Sequence, residues 1–148
     1  RTLFPYTTLF RSILKMREKM LDVHPNPTPL FDIKHDRGGI IDVEFIVQYL
    51  VLGYASQSPQ LTGNIGNIAL LKLAGELGLV PAELATQVRT AYREYRRLQH
   101  RFRLGGEPEL TSAPLSKDKS EKFARIAADH LSNDRLSVLQ LWDAVFRL

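Results

Sequence analysis

Apolar residues recur at three- and four-residue steps along most of this chain, and clusters of proline, glycine and small polar residues interrupt them. That period belongs to helices packed on one another. Residues 13–23 form the first predicted helix, with Ile13, Met16, Met20 and Leu21 on one face and Arg17, Glu18 and Lys19 largely elsewhere. The run His-Pro-Asn-Pro-Thr-Pro at 24–29 ends it, because proline removes a helical N–H donor and clashes with the preceding turn. Residues 31–34 read as a short extended piece and Asp-Arg-Gly-Gly at 36–39 as a turn. A second helix starts near Ile41 or Asp42 and runs to about Tyr54, with Asp42 as a good N-cap. Phe45, Tyr49 and Leu52, flanked by Ile46, Leu50 and Val51, make it apolar over most of its circumference, so it is expected at the centre. Ser-Gln-Ser-Pro at 56–59 breaks it.

The remaining pattern continues in helices. One runs from about 67 to 77 with Ile68, Leu71, Leu73 and Leu77 as core candidates and Gly78 as its stop. Pro81 opens the longest helix, in which Leu84, Val88, Ala91, Tyr92, Tyr95, Leu98 and Phe102 keep helical spacing to about Leu104. Gly-Gly-Glu-Pro at 105–108 closes it. A helix over 117–131 carries Phe123, Ile126, Ala127 and Leu131 inward. Asn133 or Asp134 caps a last one bearing Leu136, Leu139, Trp142, Val145 and Phe146. Short connections favour antiparallel neighbours, so the predicted class is an all-α antiparallel bundle of about five to six helices.

Composition narrows the class of protein. A length of 148 residues with 44% hydrophobic content suits one domain with a real core and argues against disorder. No apolar run approaches the ~20 residues that span a bilayer. The absence of cysteine excludes disulfides and thiolate metal sites and fits a cytoplasmic location. Residues 2–12, Thr-Leu-Phe-Pro-Tyr-Thr-Thr-Leu-Phe-Arg-Ser, match residue for residue the in-frame translation of a widely used sequencing-adapter oligonucleotide. Residues 1–12 are therefore set apart from the fold as an adapter-derived segment, which implies that the natural protein began further upstream. Without Arg1 and Arg11 the 20 basic residues become 18 against 16 acidic, so the net charge drops from +4 to +2. That is too slight to argue for nucleic acid.

Candidate chemistry concentrates in residues 31–48. Lys34, four carboxylates (Asp32, Asp36, Asp42 and Glu44) and the pair Gly38-Gly39 stand immediately before the apolar second helix. Backbone N–H groups at a Gly-Gly turn and a helix start can face an anion, with Lys34 or Arg37 adding charge. Asp42 and Glu44 could instead hold a cation that bridges to phosphate, provided that Asp42 lies at the non-helical cap. The same residues also suit a plain turn before a capped helix. It is no P-loop, since the Lys precedes the glycines and no Lys-Ser or Lys-Thr follows. On the long helix, Arg89, Arg93, Arg96, His100 and Arg103 lie close to one stripe with Arg97 adjacent. This is either an anion-facing ridge, with Arg93, Arg96, Arg97 and His100 at its centre, or a solvated face. His100 has no partner at zinc-ligand spacing, and no nucleophile elbow accompanies the serines.

The motif Phe-Asp-Ile-Lys-His-Asp-x-Gly-Gly-Ile-x-Asp-x-Glu-Phe-x-x-Gln-Tyr-Leu at 31–50 resembles the hallmark of the bifunctional glutamine synthetase adenylyltransferases and adenylyl-removing enzymes. Met-Arg-Glu-Lys-Met at 16–20, Pro-x-Leu-Thr at 59–62, Ala-Tyr-Arg-x-Tyr-Arg at 91–96 and His100 extend the resemblance over about 13–148. Ile-Asp-Val-Glu-Phe at 41–45 resembles the adenylylating half, where the removing half usually reads Arg-Glu-Ile-Glu-Phe. The resemblance implies that 13–30 ends a preceding helical linker and that 31–148 is the C-terminal helical domain behind a polymerase-β-like nucleotidyltransferase domain. It further implies ATP and Mg²⁺ in the full-length enzyme, glutamine synthetase as protein substrate and a PII signalling protein as regulator, with no nucleic acid and no membrane. The metal-binding Asp-x-Asp pair of such enzymes lies in the preceding domain. No Asp-x-Asp occurs in this chain, so it is expected to be inactive alone and to hold neither cofactor. Lys34, Gly38, Gly39, Asp42 and Glu44 would then support the nucleotide site. The competing expectation is a stand-alone basic helical module for an acidic protein partner or RNA.

Overall fold

The computed structural model describes residues 4–63, 65–104, 125–126, 129 and 131–146, with side chains from residue 8 onward. Among these, five α-helices, one 3₁₀ turn and one two-residue strand pair form an all-α bundle. The helices are α1 (Phe4–Val23), α2 (Ile40–Tyr54), α3 (Asn67–Glu76), α4 (Ala82–Arg103) and α5 (Ser132–Phe146), and the 3₁₀ turn is Pro59–Thr62. Strand β1 (Phe31–Asp32) pairs antiparallel with β2 (Arg125–Ile126), Phe31 opposite Ile126 and Asp32 opposite Arg125.

Helix α2 is central, touching α1, α3, α4 and α5. Val43, Ile46, Leu71, Ala74, Val88, Ala91, Tyr95, Val138 and Leu141 are fully enclosed around it. Each large apolar side chain so buried contributes about 1.5–3 kcal/mol. Helices α3 and α4 approach closely because Gly75 has no Cβ; one built there would lie 3.3 Å from Ala82 Cα and Ala85 Cβ. Gly78, at φ +75°, turns the chain after α3. Leu79 N–H donates to Ala74 O at 3.0 Å and Gly78 N–H to Gly75 O at 3.2 Å, which closes the helix end in a Schellman arrangement. No helix among the described residues is long and apolar enough to cross a membrane.

The structure departs from the sequence pattern in four places. Helix α1 does not begin at residue 13 but at Phe4, since no breaker intervenes and Pro5 falls in the first turn, where no donor is needed. Its buried face is Phe10, Ile13 and Arg17, whereas Met16 is 54% exposed. Arg17 turns inward because a buried carboxylate, Asp42, waits there. The helix expected over 117–131 is extended at 125–126, where the backbone bonds to β1. Phe123 and Ala127 lie outside the described residues. In α2, Leu52 is exposed, and in α5 Leu136 is exposed while Val138 and Leu141 face the core.

Candidate functional site

The 31–39 segment is built from side chains that bond to their own backbone. Asp32 Oδ1 accepts the N–H groups of Lys34 and His35, both at 3.0 Å, folding the chain back in an Asx turn. Its Oδ2 lies 3.2 Å from His35 Nδ1. Asp36 Oδ2 returns the favour, accepting Asp32 N–H at 3.0 Å and the Asn26 amide at 2.8 Å. Asn26 Nδ2 also donates to Leu30 O at 2.7 Å, so the proline-rich 24–29 run is tied to the same loop. Burial opposes the charge on Asp32, but the His35 ring and the His35 and Lys34 N–H groups outweigh it and hold the carboxyl below the usual range. The His35 ring stacks on His24 from the end of α1 at 4.3 Å.

Asp42 is the second centre, fully enclosed. The expectation of Asp42 as N-cap is corrected here: Gly39 is the N-cap, and Asp42 stands in the first turn of α2. From there Oδ2 reaches back to accept Gly38 N–H at 2.7 Å, while Oδ1 accepts Arg17 Nε at 2.5 Å. Arg17 Nη2 donates to His35 O at 2.7 Å. Gly38 sits at φ +86°, and a Cβ there would come within 2.6 Å of Arg135 Cγ, so glycine is required on two counts. A Cβ on Gly39 would meet Ile33 O at 2.5 Å. Gly38 O accepts the Tyr95 hydroxyl at 2.8 Å, and Arg37 O accepts Arg135 Nε at 2.9 Å. Burial raises the Tyr95 pKa strongly, with the charge on Asp134 adding to it, so the phenol stays a donor.

These bonds decide what the loop can offer a ligand. The N–H of Gly38 goes to Asp42, that of Gly39 to Asp36 O at 3.0 Å, that of Ile40 to Ile33 O at 2.7 Å and that of Ile41 to Lys34 O at 3.2 Å. The N–H groups from Gly38 to Ile41 are thus engaged inside the protein, and the backbone of Gly38 and Gly39 does not form an open anion cradle. The side chain of Lys34 is exposed. Arg37 is 43% exposed, spans the Trp142 ring at 5.0 Å and lies 3.7 Å from Asp42 Oδ2. Lys34, Gly38, Gly39 and Asp42 share one loop-and-helix junction, whereas Glu44 is exposed on the next turn of α2.

The weak metal candidates, Asp42 and Glu44, are not brought to one site. One carboxylate is enclosed and already paired, and the other faces solvent. Among the described residues no group of three His, Asp or Glu side chains suits a metal ion. The donor set here therefore does not fit Mg²⁺.

On α4, Arg93, Arg96, Arg97 and His100 are exposed. Arg97 forms a fork with Glu94, at 3.0 and 2.6 Å, which raises its pKa, and Arg96 Nη1 donates to Gln99 Oε1 at 2.9 Å. At about 100° per residue all four lie well round the helix from Tyr95, the α4 residue that touches the loop. The structure thus does not gather the ridge and the loop into one cleft. A separate groove of about 510 Å³ between α4 and α5 is lined by Thr86, Gln87, Thr90, Asn133, Asp134, Leu136, Ser137 and Gln140 and contains none of these candidates.

Sequence reasoning missed Arg17 and Tyr95. The helical pattern puts Arg17 largely off the apolar face, yet it is 1% exposed. The available signal was chemical: a carboxylate in the first turn of the most apolar helix needs a buried cation.

The fold and this junction define a helical domain whose acidic, glycine-bearing loop is clasped onto its central helix. A family profile described as GlnD PII-uridylyltransferase matches residues 13–147, and the chain belongs to that family. Its relatives include the bifunctional glutamine synthetase adenylyltransferase/adenylyl-removing enzymes of Nitrosomonas europaea and Nitrosomonas eutropha. These are 70% and 67% identical over 93% of this chain. The protein of the same name from Aromatoleum aromaticum is 49% identical over 90%. The chain spans only 13–15% of the length of these relatives.

Proposed function

We propose that this domain supports the adenylylating centre of a glutamine synthetase adenylyltransferase, an enzyme that moves AMP from ATP to a tyrosine of glutamine synthetase and, in its other half, removes it. Pyrophosphate leaves in the forward reaction. The observation that carries the reading is the 70% identity to a relative of that name, extending across the 31–50 motif region. The family profile bears the name of a uridylyltransferase, which shares nucleotidyl transfer but not the nucleotide. The identities to adenylyltransferases favour AMP.

Within this reading the residues divide. Gly38, Gly39 and Asp42 hold the loop, and Lys34 is the side chain free to meet phosphate, as a point charge with three donors. Glu44 is exposed further along, on α2, and is a weaker candidate. Mg²⁺ in such an enzyme neutralises the triphosphate; its ligands belong to residues other than those of this loop, since Asp42 is already committed to Arg17. Transfer then requires the Asp-x-Asp pair that this sequence lacks, and regulation by a PII protein would act on the longer polypeptide.

The test uses the full-length protein that contains this domain. Lys34→Ala should cut AMP transfer to glutamine synthetase by about 10- to 100-fold, the loss of one charge-assisted hydrogen bond of roughly 1.5–3 kcal/mol, with an unchanged melting temperature. Parallel assays with UTP and with PII protein as acceptor separate the two nucleotide classes. Undiminished transfer by the variant would remove Lys34 from the site.

A further inference from the structure

The backbone of residues 34–38 is anchored almost atom by atom. His35 N–H is held by Asp32, Lys34 O by Ile41 N–H, Arg37 O by Arg135, Gly38 N–H by Asp42 and Gly38 O by Tyr95. Of the other two carbonyls, Asp36 O accepts Gly39 N–H and His35 O is held by Arg17. These anchors come from the loop itself, α2, α4 and α5, and from α1 Arg17 adds its own. Arg17 reaches across 18 residues to His35 and 25 to Asp42, joining two bonds on one rigid guanidinium plane. Its side chain is 2% exposed and its Nη1 has no hydrogen-bond partner.

We infer that Arg17 is a positioning residue: through the Asp42 carboxylate and the His35 carbonyl it fixes the direction in which the loop presents Lys34 and Arg37. It touches no ligand itself. Any shift of α1 along its axis would pull on both ends of the fork and re-aim the loop, so α1 and the loop move as one unit. The claim that this matters for nucleotide transfer rests on the function proposed above; the coupling itself does not.

The experiment is amide hydrogen exchange on the whole chain, resolved for residues 35–39 and, as a reference, for Ile46 and Val88 in the core. Arg17→Lys keeps one positive charge but replaces the planar fork, whose Nε and Nη2 each serve one acceptor, with a single ammonium nitrogen on a flexible stem. Exchange at 35–39 should accelerate at least tenfold while the core amides change less than twofold, with the order-of-magnitude separation expected for local rather than global opening. Arg17→Met alone leaves the buried Asp42 with only Gly38 N–H and the longer 3.7 Å contact to Arg37, and serves poorly if it fails to fold. The double variant Arg17→Met/Asp42→Asn removes both charges; its melting temperature should recover toward the parent while 35–39 still exchange fast. Loop exchange that tracks the core in both Arg17→Lys and the double variant would overturn the inference and leave Arg17 a structural ion-pair partner. In the full-length protein, Arg17→Lys should raise KM for the nucleotide more than it lowers kcat. A fast-exchanging loop with unaltered transfer kinetics would uphold the coupling and overturn the proposed role of the loop in transfer.

Discussion

The loop at 31–42 and the outer face of α4 are both crowded with charge, and they handle it in opposite ways. In the loop, Asp32 and Asp42 are 1% and 0% exposed, and both oxygens of each, with Oδ2 of Asp36, meet a backbone N–H, an arginine, an amide or a histidine. On α4 the arginines stand in water, where Arg97 pairs with its own neighbour Glu94 and Arg96 with Gln99. The first arrangement sets geometry because a buried charge tolerates few alternatives. The second constrains little, since exposed pairs contribute only about 0–1 kcal/mol and are screened by salt. A motif rich in acids and glycines therefore acts here as a clasp, and its ligand-facing part shrinks to the side chains that escape it.

The largest expected effect follows from breaking the clasp at its centre. Asp42→Ala leaves Arg17 charged, buried and unpaired, and should destabilise the fold by about 3–5 kcal/mol, read as a fall in the urea midpoint. Because Asp42 is fully enclosed, stability is the first casualty of its loss, ahead of any change in activity. A loss under ~1 kcal/mol would mean that the pair is solvated and that the contrast with α4 fails.

Next in size is the backbone of the loop. Gly39→Ala drives a methyl to 2.5 Å from Ile33 O and 3.0 Å from Asp36 O, both backbone atoms that cannot swing aside. A cost of about 1–3 kcal/mol is expected. Gly66→Ala is the control, because nothing lies within 4 Å of a Cβ there. Equal denaturation midpoints for the two variants would show that the loop yields more readily than its bonding implies.

How much of this was legible depends on sequence distance. The central helix, the stop at Gly78 and the opening of α4 next to Pro81 are read from periodicity and local punctuation, and they stand within a residue or so of where the pattern puts them, with Pro81 as the N-cap and not in the first turn. The cluster of Lys34, Gly38, Gly39 and Asp42 is contiguous, so it too is visible as a unit. Its meaning is not, because the partners that close it are remote: Arg17 lies 25 residues from Asp42 and Tyr95 lies 57 from Gly38. The same holds for Arg125 and Ile126, whose helical spacing is overridden by pairing with β1 across the chain. Met16 and Arg17 exchange places for a related reason: hydrophobicity orders a helix face only until a buried charge on another element asks for a counter-ion.

Acid should separate the two regions more gently. The folded pKa of Asp32 is depressed, so its contribution is present above the unfolded value near ~3.9 and is lost as pH falls through the lower folded value. The parent protein should lose stability below about pH 4, and Asp32→Asn should flatten that limb. Arg97→Ala should leave it unchanged. An acid limb of the same slope in parent and Asp32→Asn would assign the acid sensitivity to other carboxylates.

The smallest effects on stability fall on the exposed charges, which makes them the cleanest probes of which surface meets anions. Lys34→Ala and, separately, the combined Arg93→Ala/Arg96→Ala/His100→Ala should leave the melting temperature within the narrow range of ordinary surface substitutions, about ±0.5 kcal/mol for Lys34. Retention on an immobilised polyanion then distinguishes them. If the loop is the anion face, Lys34→Ala elutes at clearly lower salt and the triple variant loses only the general share owed to net charge. If the ridge is the anion face, the order reverses, and the α4 stripe becomes the interaction surface of a basic helical module. Arg93 and His100 lie well round α4 from Tyr95, which holds the loop, so the two losses should add.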